Sequence, residues 1–264
     1  MSHALWQGIG RSMLGIIGGT GLSKLEIADN IKINPVITPF SGDPVEVHVG
    51  VVAGRPVAFL PRHGGLHKIP PHRINYRANI WALHAAGVTR LIAVNAVGGI
   101  TSDLAPGVLA IPDQIIDYTS GRENSFFSDN LEEVVHIDFT HPYNEELRQT
   151  LLHCAAKLSP AITVVDGGVY GCMQGPRLET AAEIRRLERD GCTMVGMTGM
   201  PEAALARELE MDYAAIAVSV NRAAGLAPET ITMASIYAVL ETGMDEVRQL
   251  LKLCIGSLAR SSGV

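Results

Sequence analysis

The sequence predicts an α/β fold in one domain, and three observations predict it. Continuous apolar runs such as Tyr-Ala-Ala-Ile-Ala-Val-Ser-Val at 213–220 have the length and composition of strands buried on both faces. Between such runs lie stretches of helical period, of which 144–158 with Leu147, Leu151 and Leu152 is the clearest. The runs end in short loops of glycine, asparagine and threonine, the place where α/β proteins bind ligands. With 264 residues, 47% of them hydrophobic, one sizeable core can be buried, and neither a repeat nor a linker divides the chain.

Composition excludes several classes of function. A net charge of −6 argues against a nucleic-acid backbone or an anionic membrane as the main partner, so any bound anion must be held locally. Residues 1–12 read as a loose leader without the apolar core of a signal peptide, and no segment is long enough to span a bilayer. Cys154, Cys172, Cys192 and Cys254 stand far apart without Cys-x-x-Cys spacing, which suggests neither a zinc site nor a disulfide framework and fits a reducing cytoplasm.

Taken in order, Met13 to Gly21 reads as a buried strand running into a glycine loop, with Gly-Gly-Thr-Gly at 18–21. Converging backbone amides and the Thr20 hydroxyl suit a phosphate oxygen there, although the same residues suit a plain tight turn. The alternation over 45–60 around Ala53-Gly54-Arg55 predicts a hairpin that delivers Arg62, a planar fork for an anion, and His63. His63, His67 and His72 fall in a Gly/Pro loop rather than on one helix face, so a metal site is not expected. A helix over 75–86, closed by Gly87, precedes a strand over 88–94 that ends in a glycine loop, Asn95-Ala-Val-Gly-Gly99. One strand is expected over 107–116, an irregular excursion over 117–138, and another strand over 161–170.

The stretch 174–202 reads as the ligand-facing unit. Gly175-Pro176 forces a turn, and Thr180-Ala-Ala-Glu183 is a capping box that opens a helix with Ile184 and Leu187 on its apolar face. Glu179 therefore sits at the helix mouth. A short strand at 193–195 then breaks at Met197-Thr198-Gly199-Met200 before Pro201 opens the next helix. A last strand ends in Asn221-Arg-Ala-Ala-Gly225, and a helix over 232–258 closes the chain.

Gly-Gly-Thr-Gly at 18–21, Arg62-His63, Asn95-Ala-Val-Gly-Gly, Gly175-Pro-Arg-Leu-Glu-Thr and Gly196-Met-Thr-Gly-Met-Pro-Glu202 occur in the order found in the trimeric purine nucleoside and methylthioadenosine phosphorylases. The chain resembles that family over residues 14–258. The resemblance implies a mixed central β-sheet flanked by helices, a homotrimer, and attack of inorganic phosphate on a purine nucleoside with no other cofactor. By position it implies that Thr20, Arg62, His63, Asn95, Ala96 and Thr198 hold phosphate. It places Leu178, Glu179, Met197 and Asn221, with Arg222 and Ala223 after it, around base and ribose, and gives Glu179 and Asn221 the catalytic contacts. His136, on the excursion, would reach the neighbouring subunit's ligand.

Departures from the family pattern point to a substrate. Methylthioadenosine phosphorylases carry Asp-x-Asp where this chain has Asn221-Arg-Ala223, and Ser where it has Glu179. A carboxylate accepts from the N1–H of a 6-oxopurine but faces a lone pair on a 6-aminopurine. Met233 stands where ordinary 6-oxopurine phosphorylases place a His for the 5′-hydroxyl, and with Tyr237 one turn on it would form an apolar wall suited to a thioether. The implied substrate is 5′-methylthioinosine, with a general 6-oxopurine nucleoside or methylthioadenosine as the alternatives. A nucleoside-binding module without catalysis would need the same pocket, and a nicotinamide oxidoreductase lacks its glycine spacing at 18–21.

Overall fold

The computed structural model describes residues 13–22, 26–65, 68–128, 133–159 and 162–258. The expected leader and His67 lie outside the described residues. Strand β1 (Met13–Gly18) pairs in parallel with β4 (Arg55–Pro61) and β5 (Val88–Gly99), and β5 pairs in parallel with β11 (Asp212–Arg222). The hairpin of β3 (Val45–Val52) with β4 is antiparallel, so the sheet is mixed.

The apolar runs are continuous because the central strands are covered on both faces. Along β5, Leu91 and Ala93 face one buried cluster while Ile92 and Val94 face another, and β11 alternates in the same way from Tyr213 to Val218. The first cluster takes Ile80 and Leu83 of α1 (Tyr76–Ala85) and Ala203 and Leu205 of α4 (Gly199–Glu208). The second takes Leu147 and Leu151 of α2 (Glu145–Ala155) and Leu240, Val247 and Leu250 of α5 (Met233–Leu258). Helix starts follow their capping residues. Asn75 accepts from the Ala78 N–H at 3.0 Å and Asn144 from that of Leu147 at 2.9 Å. At α3 (Ala181–Arg189) both bonds of the Thr180–Glu183 capping box form.

Four expectations are corrected. Asn95 to Gly99 is not a loop, since β5 continues through Gly99 and faces Met194 and Val195 of β10 (Met194–Gly196) across an antiparallel pairing. Glycine is needed there for close approach rather than for a turn: a Cβ on Gly99 would lie 1.9 Å from the Leu104 carbonyl oxygen. The strand expected over 107–116 is two, β6 (Leu109–Ile111) beside β11 and β7 (Gln114–Asp117) beside the later strand β9 (Val169–Cys172), parted at Pro112-Asp113. The one over 161–170 is also two, β8 (Val164–Asp166) and β9 (Val169–Cys172), parted by Gly167 and Gly168 at positive φ. Strand β2 (Asp29–Val36) was not expected. It is an edge strand of the sheet, exposed almost throughout, so Asn30, Lys32, Asn34 and Pro35 cost little there.

Candidate active site

The site lies where the sheet divides. β11 occupies one edge of β5 along its length, while β1 holds the other edge only as far as Gly18 opposite Val94. β10 takes up that edge again at Gly98. Between these pairings Asn95, Ala96 and Val97 have no strand partner on that side among the described residues, and a cavity of about 380 Å³ opens into the gap. That volume suits a small molecule. The cavity is lined by Gly19 and Thr20 after β1, Arg62 and His63 after β4, Met197 and Thr198 after β10, and Leu178 and Glu179 before α3. Asn221 of β11 and Met233 and Ile236 of α5 complete the far wall.

The end of the cavity next to β1 and β4 is polar and deeply buried. Arg62 is only 1% exposed, and its fork is already taken by a carboxylate of this chain. Nε and Nη2 donate to the two carboxylate oxygens of Glu202 at 2.6 and 2.9 Å, and Nη1 donates to the Val94 carbonyl at 3.0 Å. The expectation that Arg62 offers a bidentate fork to phosphate is therefore corrected, because a fully buried guanidinium needs a buried counter-charge. Burial works against its charge, but the facing carboxylate outweighs burial and raises the Arg62 pKa above its ordinary value. Tyr213 donates to the same carboxylate at 2.9 Å.

Asn95 and Thr198 form the second buried pair. The Asn95 Nδ2 donates to the Thr198 Oγ1 at 2.8 Å, which leaves the hydroxyl proton to point at an anion. The His63 ring lies with Nδ1 2.8 Å from the Ile69 carbonyl, a contact that protonates Nδ1 and fixes the ring's direction. Among the described residues no group of three or more His, Cys, Asp or Glu side chains is placed to hold a metal ion.

The opposite end is half-open and mostly apolar. Leu178 is 43% exposed and Met233 54% exposed, and both belong to the wall formed with Val220, Ile231 and Ile236. Glu179 is the carboxylate among them, and burial raises its pKa above the ordinary value. The Asn221 Nδ2 donates to the Arg222 carbonyl at 2.7 Å, which orients the amide and leaves Oδ1 and one N–H for a ligand.

Eleven of the expected site residues line this one cavity: Thr20, Arg62, His63, Asn95, Ala96, Leu178, Glu179, Met197, Thr198, Asn221 and Met233. Three do not. Arg222 turns away to the carbonyls of Ile100 and Thr101, bracing the turn after β5. Ala223 is buried in a separate apolar cluster with Ile184 and Leu187. Tyr237, a helical turn beyond Met233, is half-exposed outside the lining. His136 is exposed and also outside the cavity of its own chain. Lys68, Ile231 and Ile236 line the cavity without having been singled out in the sequence, and neither was Glu202 as the partner of Arg62. The one available signal for Glu202 was a carboxylate followed by Ala-Ala-Leu, a charge at the head of an apolar helix.

Known proteins similar to this chain are phosphorylases. The phosphorylase superfamily profile matches residues 13–256. A probable S-methyl-5′-thioinosine phosphorylase of Pseudomonas syringae pv. tomato is 55% identical over 236 residues, covering 89% of this chain and 95% of that protein. A probable 6-oxopurine nucleoside phosphorylase of Thermococcus kodakarensis is 43% identical over 247 residues, covering 92% and 91%. Among solved structures, methylthioadenosine phosphorylase from Schistosoma mansoni in complex with adenine superposes with a TM-score of 0.88 at 31% identity, over 95% of this chain and 93% of that one. By its sequence and by its fold, the chain belongs to the phosphorylase superfamily.

Proposed function

We propose that this chain catalyses phosphorolysis of S-methyl-5′-thioinosine, giving hypoxanthine and 5-methylthioribose 1-phosphate. One observation carries the reading: a single cavity joins a buried polar end to a half-open end where Glu179 and Asn221 stand beside an apolar wall of Met233, Ile231 and Ile236. The polar end suits inorganic phosphate, held by Thr20, His63, Asn95, Ala96 and Thr198, with the Arg62–Glu202 pair behind them. Glu179 accepts from N1–H of the base. Asn221 meets O6 and N7 as negative charge develops on the departing purine, while Leu178 and Met197 flank base and ribose. The thioether rests on the apolar wall, where a 5′-hydroxyl would lose its hydrogen-bond partner.

Ribosyl transfer through an oxocarbenium-like state asks the protein to position phosphate and stabilise the leaving base, so no covalent nucleophile and no cofactor enters the proposal. A homotrimer is part of it, because Leu178 and Met233 are left uncovered at the cavity mouth by the single chain. His136 would come to that mouth from the neighbouring subunit. A cytoplasmic setting is proposed from the four separated thiols; no helix among the described residues is long and apolar enough to cross a membrane. The second reading, a general 6-oxopurine nucleoside phosphorylase, shares Glu179 and Asn221 and is favoured by the Thermococcus relative. Release of hypoxanthine that requires phosphate, measured over a panel of nucleosides, tests both readings. Release independent of phosphate, or none, would overturn them.

A further inference from the structure

Arg122 stands in the irregular segment between β7 and α2, outside the ligand cavity. Its guanidinium is tied into the two chain segments that line that cavity. Nη1 donates to the carbonyls of Met197 at 2.9 Å and Met200 at 2.6 Å, which bracket Thr198. Nη2 donates to the carbonyls of Met173 at 3.3 Å and Gln174 at 2.8 Å, and Nε to the Gln174 Oε1 at 3.1 Å, just ahead of Leu178 and Glu179. A further bond from Nη1 meets the Tyr76 hydroxyl at 3.1 Å, and that hydroxyl donates at 2.9 Å to the carbonyl of Pro71, another lining residue.

All six acceptors are neutral oxygens, and the charge also lies 5.3 Å from the centre of the Tyr76 ring. An ion pair would need one carboxylate. A planar fork with five donors is instead used to fix three pieces of backbone relative to one another, which a lysine cannot do. The pieces it fixes carry Thr198 at the phosphate end and Glu179 at the base end.

We propose that Arg122 is a positioning residue of the reaction: it sets the distance between the phosphate-holding and base-holding segments, without touching either substrate. The inference rests on the proposed phosphorolysis. Each substrate would still bind its own half of the cavity in a variant, but the two would no longer meet in line.

The experiment uses Arg122→Lys and Arg122→Ala in the full chain. For both, kcat is expected to fall about a hundredfold, the scale of a misplacement near 1 Å, while the KM values for phosphate and nucleoside change much less. Amide hydrogen exchange at 173–179 and 197–200 should quicken, with α2 unchanged. Methylguanidinium should restore part of the activity of Arg122→Ala, entering through a second cavity of about 260 Å³ that Tyr76, Arg77 and Arg122 line, and methylammonium should not. If Arg122→Ala does not fold, Arg122→Lys decides. A kcat near the wild-type value in a folded variant, or a loss with unchanged exchange at both segments, would overturn the proposal. The exchange measurement needs no substrate, so it stands whether or not the wild type cleaves a nucleoside.

Discussion

The two ends of the cavity are built differently. At the phosphate end, Arg62, Asn95 and Thr198 are buried and each is hydrogen-bonded to another side chain, so the geometry is complete within one chain. At the nucleoside end, Leu178 and Met233 are about half-exposed, and among the described residues Glu179 has no ion pair to match that of Arg62 with Glu202. The difference teaches where each property resides. On the proposed reading, phosphate would be held by the core, whereas choice of nucleoside would be left to a few side chains at the rim.

The largest effect should come from breaking the core end. Glu202→Ala strands the buried Arg62 charge, and unfolding in denaturant at fixed protein concentration should show a loss of about 3–5 kcal/mol. Met233→Ala at the rim should stay within about 0.5 kcal/mol of wild type, as an exposed residue would. Comparable losses for the two would erase the contrast. Arg62→Ala cannot isolate a phosphate contact, because it strands Glu202 at the same time.

The next effect sharpens the rim. Glu179→Ser with Asn221→Asp should raise the ratio of kcat/KM for methylthioadenosine over methylthioinosine by about a hundredfold, since the carboxylate no longer faces the N1 lone pair and the new acid can serve N7 and the exocyclic amine. Competitive assays with both nucleosides read that ratio directly. An unchanged ratio would remove Glu179 and Asn221 from base selection. The smallest effect is at the 5′ group: Met233→His should raise kcat/KM for inosine about tenfold by giving its hydroxyl a partner. No gain in separate assays on inosine and methylthioinosine would place the 5′ group elsewhere.

Much of this was legible in the sequence because its signals are local. The central strands are long apolar runs, the caps Asn75, Asn144 and Thr180 precede the helices they start, and the residues that line the cavity lie in short ordered motifs. What was missed depends on distant pairing. Glu202 and Arg62 are 140 positions apart, and nothing local tells a buried partner from an acidic first turn of a helix. Arg122 lies in an irregular segment, and the carbonyls it reaches are 51 to 78 positions away. The breaks at Pro112-Asp113 and Gly167-Gly168 were hidden because short strands on either side share one apolar character. Tyr237 stands a helical turn beyond Met233, but its side chain is half-exposed outside the cavity lining.

Whether the two ends jointly define the substrate is decided by one measurement: kcat/KM for methylthioinosine, inosine and methylthioadenosine, each with saturating phosphate and with none. The expected order is methylthioinosine first, inosine second and methylthioadenosine last, with no cleavage when phosphate is left out. Inosine in first place would leave the base contacts standing and replace the thioether wall with the general 6-oxopurine reading. Methylthioadenosine ahead of methylthioinosine would contradict the assignment of Glu179 and Asn221, and with it the proposed substrate.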